Sequence, residues 1–138
     1  MSQLICLKLK SKGHTILELS IVVTIISLIV FLSSHKLFII KQNAELSQAA
    51  TQLEDELKST QANALYSGSY YKIDFYPSLD RYRIYREVEL VKDIQLDNID
   101  LFYTNFTNQK VYFYTSGVPS MGGTVTLKTR LGKTLYVI

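Results

Sequence analysis

The order of apolar and polar positions divides the chain into three textures. From Ile16 to Leu32 every residue is apolar except Glu18, Ser20, Thr24 and Ser27, and the run has no period. Such a stretch is apolar on every side, which predicts a membrane helix. Leu19 to Leu32 amounts to about 21 Å of helix, short of a hydrocarbon core of roughly 30 Å. Leu37 to Ile40, beyond the polar Ser33-Ser34-His35-Lys36, extends it to a full span. The serines and threonine do not forbid this, because a small hydroxyl bonds back to a carbonyl of its own helix.

The second texture is striped. Leu46, Ala50, Leu53, Leu57 and Ala64 recur at spacings of three, four or seven through KQNAELSQAATQLEDELKSTQANALY. That draws one apolar line along an otherwise polar helix, and the line needs a covering partner. No glycine lies between Gly13 and Gly68 and no proline before Pro77, so one helix is expected to run from the apolar segment to Ser67, capped by Gly68.

The third texture alternates. In YYKIDFY, Tyr71, Ile73 and Phe75 share one strand face while Lys72 and Asp74 share the other; PSLD is a turn, and RYRIYR returns with Tyr82 and Ile84 on the apolar face. Further strands are predicted at Ile94 to Leu96, Ile99 to Thr104, Lys110 to Thr115, Thr124 to Thr129 and Thr134 to Ile138, the last pair turning at Gly132. The expected architecture is α+β, a long N-terminal helix packed on an antiparallel β-sheet head.

Charge changes the picture at one end. Of 15 basic and 12 acidic residues, Lys8, Lys10 and Lys12 precede Gly13 with no acid among them, so the net +3 belongs to the first 13 residues. Lysines on the N-terminal flank of an apolar helix keep that flank in the cytoplasm and send the rest outward. A basic balance so placed reports topology before it reports nucleic-acid binding. Cys6 is the single cysteine, so no disulfide forms within the chain. Glu18 stands out because an acid at the centre of a membrane helix costs roughly 2.5 to 3.5 kcal/mol on insertion scales, which marks it as functional.

Lys10-Ser11-Lys12-Gly13-His14-Thr15-Ile16-Leu17-Glu18 and the apolar run behind it resemble the prepilin signal of type IV pilins and type II secretion pseudopilins. The shared features are a basic leader ending in glycine, then an aromatic position (here His14), a threonine, two apolar residues and a glutamate. The pattern VYFYTSGVPSMGGTVTLKT resembles the head of the minor group that includes the secretion pseudopilin GspH, the pilus protein FimT and the competence protein ComGD.

The resemblance implies residues 1–13 as leader peptide, 14–40 as transmembrane and polymerisation helix, and 41–138 as a pilin-like head, with an amphipathic helix over 41–67 and sheet over 69–138. A prepilin peptidase would cut between Gly13 and His14 and methylate the His14 amine. Thr15 and Glu18 would serve assembly, Glu18 meeting the terminal amine of a neighbouring subunit. The implied partners are the peptidase, other major and minor pilins, the inner-membrane assembly platform and its ATPase, and membrane lipid. The protein would sit in the cytoplasmic membrane as a single span with its head outside, then join a surface or envelope pseudopilus. The implied task is DNA uptake in competence; protein export is the alternative. A rival of another class is an unprocessed single-pass protein with a small β-rich binding head.

Other constellations are weaker. Arg81 and Arg83 share a strand face with Tyr85 and are the candidate DNA contacts, or else a solvated face paired with Asp74 and Glu87. Glu54-Asp55-Glu56 and the spaced Asp93, Asp97 and Asp100 lack the alternate-residue loop with central glycine that calcium needs. His14 and His35, the two histidines, flank the membrane segment, so the head offers no histidine for zinc or for activating Ser116 or Ser120. No cofactor, metal or catalytic group is expected.

Overall fold

The structure is a computed structural model that describes residues 16–138, apart from the side chain of His35. Two compact units divide between Phe38 and Ile39. A single helix, α1 (Ile16–Ser67), belongs to both.

In the first unit, α1 is apolar all round, as its sequence dictates. Ser20, Thr24, Ser27, Ser33 and Ser34 each donate to a carbonyl three or four residues earlier, at 2.7 to 2.8 Å, so their hydroxyls are satisfied without water. The large apolar side chains from Ile16 to Leu32 are all exposed within the chain. Its best 18-residue window has a mean hydropathy of 2.6, and α1 is the one helix among the described residues long and apolar enough to cross a membrane.

In the second unit, α1 becomes striped. Leu46, Ala50, Leu53 and Ala64 are buried and Leu57 half-buried, so the expected line is the one that meets the sheets; Ala49 and Thr60 are buried with it. The helix ends at Ser67, where Gly68 takes φ +63°, a left-handed conformation that glycine adopts without a Cβ penalty.

Seven strands follow: β1 (Tyr71–Tyr76), β2 (Arg81–Arg86), β3 (Glu89–Gln95), β4 (Ile99–Thr104), β5 (Lys110–Phe113), β6 (Val125–Thr129) and β7 (Thr134–Val137). All pairings are antiparallel. The expected single sheet is divided into two, a four-stranded sheet in the order β3-β2-β1-β5 and a three-stranded sheet in the order β4-β6-β7. The chain first leaves the four-stranded sheet after β3, where Asn98 takes φ +63°, and returns to it at β5. Asp80 ties the sheets together, its carboxylate accepting the Leu101 N–H at 2.9 Å and its carbonyl the Leu96 N–H at 2.8 Å. One core joins the stripe of α1 to inward side chains of both sheets, among them Ile73, Phe75, Tyr82, Leu101, Val111 and Leu127.

Two strand limits differ from expectation by more than one residue. β3 starts at Glu89, five residues before the predicted Ile94, because its side chains are nearly all exposed and leave no alternation to read. β5 stops at Phe113 instead of Thr115, because the Tyr114 N–H bonds to the Val118 carbonyl and closes a turn at Gly117, φ +74°. Asp74 also departs from a solvated face. It is only 4% exposed, covered on the outer side of its sheet, with Oδ2 3.2 Å from Lys72 Nζ and 3.7 Å from Lys110 Nζ.

Candidate functional site

Of the residues the sequence marks for processing and assembly, Lys8, Lys10, Lys12, Gly13, His14 and Thr15 lie outside the described residues. Glu18 is described: it sits in the first turn of α1, among the exposed Ile16, Leu17, Leu19 and Ile21.

Arg81 and Arg83 lie side by side on the outer face of the four-stranded sheet, as predicted, but their partner is different. Both reach Asp93 Oδ2, at 3.5 Å and 2.9 Å, instead of Asp74 and Glu87. The reason is register: β3 pairs with β2 so that Asp93 stands opposite Arg83, while Asp74 is taken by two lysines. Hydrogen bonds to Asp93 and then to Tyr85 push the Arg83 pKa up, and its guanidinium lies 5.3 Å from the Tyr76 ring. These arginines therefore carry their own counter-ion.

The outer face of the three-stranded sheet is built differently. Along β4 the register to β6 shifts between Leu101 and Tyr103, leaving Phe102 as the extra residue of a bulge. A bulge breaks the alternation of faces. Phe102 and Tyr103, adjacent in sequence, are consequently both exposed, at 58% and 57%. Tyr103 stands opposite Thr126 on β6, which stands opposite Tyr136 on β7, 62% exposed. One rung further, Lys128 lies between Asp100 and Thr134 and places its Nζ 4.6 Å from the Phe102 ring centroid. No sequence pattern singles out this cluster. Its residues come from three strands, and the bulge reverses the face that strict alternation from Leu101 would give Tyr103.

The comparison of folds finds a likeness to one solved structure. The structure is similar to that of the minor pseudopilin EpsH from the type 2 secretion system of Vibrio cholerae, with a TM-score of 0.54 over 67% of this chain and 96% of that one. The fold is that of a pseudopilin. At 12% identity the likeness lies in the order and packing of elements, a long N-terminal helix followed by antiparallel sheets, and not in the side chains. Neither a family model nor a curated protein sequence matches the chain. Within this pseudopilin fold, no group of three or more His, Cys, Asp or Glu among the described residues is placed to hold a metal.

Proposed function

We propose that this chain is a minor subunit of a type IV pilus-type filament, of the group typified by GspH, FimT and ComGD. It is cut between Gly13 and His14, methylated at His14 and assembled through its N-terminal helix. The observation that carries the reading is α1 itself, whose first half is apolar, exposed within the chain and interrupted by Glu18, and whose second half is the helical layer of a head with the pseudopilin fold. Burying that many apolar side chains is worth about 1.5 to 3 kcal/mol each, so this segment partitions into lipid first and against neighbouring helices later. Thr15 and Glu18 then belong to the contact between subunits. A carboxylate and an amine enter an apolar bundle at least cost when they meet.

The segments follow: residues 1–13 are a leader held in the cytoplasm by Lys8, Lys10 and Lys12, residues 14–40 span the membrane, and 41–138 form the external head. Prepilin peptidase, the other pilins and the assembly platform with its ATPase are the partners. The machine is one for DNA uptake. What supports that task is the β6–β7 hairpin, whose Lys128, Arg130 and Lys133 make no ion pair with a described carboxylate, whereas most other cations of the head do. Arg81 and Arg83, already paired with Asp93, are secondary DNA contacts. The second reading is protein export, favoured by the secretion-system membership of EpsH.

Glu18→Ala tests the assembly claim: the variant should insert and be cleaved normally yet be missing from sheared or cross-linked filaments. Equal incorporation of variant and wild type would remove the assigned role. A deletion strain that transforms at the normal frequency would replace DNA uptake by export.

A further inference from the structure

Among the described residues of the head, the cations that no carboxylate or hydroxyl engages are concentrated in one place. The cations of the helix and of the four-stranded sheet are mostly engaged: Lys58 with Glu54, Lys92 with Glu56, Lys72 and Lys110 with Asp74, Arg81 and Arg83 with Asp93, and Arg86 with the Ser69 hydroxyl. The β6–β7 hairpin is the exception. Its turn is fixed by the Thr129 N–H donating to the Lys133 carbonyl and the Gly132 N–H to the Thr129 carbonyl, both at 2.8 Å, with Gly132 at φ +86°. The basic residues of this hairpin thus lie at and beside its hydrogen-bonded turn, with Lys128 one same-face position along β6 from Thr126 and the two tyrosines that flank it.

We infer that the outer face of β4, β6 and β7 is a docking surface for single-stranded nucleic acid. Bases stack on Tyr103 and Tyr136, and phosphates are held by Lys128, Arg130 and Lys133. The two tyrosines flank β6, two strand spacings or about 10 Å apart, on a common face. Thr126 lies between them and is buried, which gives the platform a closed floor. Phe102 acts as a positioning residue, holding the Lys128 ammonium at the edge of the platform through its ring.

Exposed aromatics on a sheet face, bordered by cations, are what recognition of unpaired bases requires: every base has a π-face, and the charges neutralise the backbone. A duplex hides its bases from such a face. A neutral polysaccharide would make no use of the three cations. Arg81 and Arg83 are poorer candidates because Asp93 already neutralises part of their field.

The choice of ligand rests on the DNA-uptake reading. The test uses the full chain in phosphatidylcholine nanodiscs, with labelled oligothymidylate followed by fluorescence anisotropy, and a duplex and polyphosphate as competitors. Tyr103→Ala and Tyr136→Ala should each weaken binding roughly 5- to 100-fold, the range expected for loss of one stacked base. Tyr103→Phe and Tyr136→Phe should restore it, which separates stacking from a folding defect. Replacing Lys128, Arg130 and Lys133 together by alanine should reduce the slope of log affinity against log salt by about 2. No binding, unchanged binding in the alanine variants, or displacement by polyphosphate or duplex as effective as by unlabelled oligothymidylate would each overturn the proposal. Binding with these signatures in a protein whose deletion leaves transformation normal would keep the surface and remove the uptake reading. Absent binding with a transformation defect would do the reverse.

Discussion

The seating of α1 on the head can be tested at one leucine. Leu53 is 0% exposed, at the middle of the stripe formed by Leu46, Ala50, Leu57 and Ala64. Leu53→Ala removes the equivalent of about three methylenes, or roughly 2.4 kcal/mol of transfer energy, and leaves a cavity that brings the cost to about 2 to 5 kcal/mol. A domain of this size holds only about 5 to 15 kcal/mol in total, so the loss should be plain. Taking about 3 kcal/mol, the thermal midpoint should fall by roughly 12 to 24 °C.

Leu65→Ala is the control. Leu65 lies on the same helix but is 54% exposed, and alanine is as good a helix former as leucine, so helix propensity cannot explain a difference between the two variants. Its cost should stay under about 1 kcal/mol, as for a half-buried side chain. Melting of the lipid-reconstituted chain, followed by near-ultraviolet circular dichroism of its tyrosines, reads both. Equal shifts for Leu53→Ala and Leu65→Ala would refute the burial of the Leu53 face of α1 against the sheets.

Three further outcomes follow from named contacts. A Cβ at Gly123 would collide with the ring edge of Phe106, which stacks on Phe75 at 5.6 Å, and would come within 2.8 Å of Asn105 Oδ1; Gly123→Ala should cost about 1 to 3 kcal/mol, and an unchanged melting point would contradict that packing. Burial, and secondarily Glu56, pushes the Tyr82 pKa up, and although desolvation opposes the Lys72 charge, Asp74 raises that pKa as well. A raised folded pKa means stability is complete below the unfolded value of about 10 and is lost as pH climbs through the folded one, so alkaline titration should destabilise the head above about pH 10 and Tyr82→Phe should blunt the loss. If Tyr82→Phe leaves the alkaline limb unchanged, the buried phenol is not its source. Asp93→Asn should cost under about 1 kcal/mol, because Arg81 and Arg83 remain about a third exposed; a loss as large as that of Leu53→Ala would mean the pair is a structural lock.

Much of this fold was legible because burial imposes periodicity. The helix limit at Ser67, the stripe through Leu53, the β1–β2 hairpin and the strand Ile99–Thr104 all express a core face that the chain must hide. What was not legible lies where periodicity is absent or broken. β3 has one half-buried side chain, Ile94, so its sequence looks like loop. The Arg81 and Arg83 partner depends on the β2–β3 register, which the exposed β3 side chains leave unspecified. The bulge at Phe102 aligns two consecutive aromatics that a period of two would separate, and the face they make with Tyr136 is assembled from positions 33 residues or more apart. The residues proposed for processing, Gly13 and His14, rest on the sequence motif alone, because they lie outside the described residues.

The central claim is that Gly13 and Glu18 bracket a processing and assembly signal, and the mature N-terminus tests it most directly. Intact-mass and N-terminal peptide mass spectrometry of the protein extracted from its own membrane should find a chain that begins at His14 and bears one added methyl group. A chain retaining Met1, or one that begins after Ser34 as a cleaved secretory signal would leave it, contradicts the account.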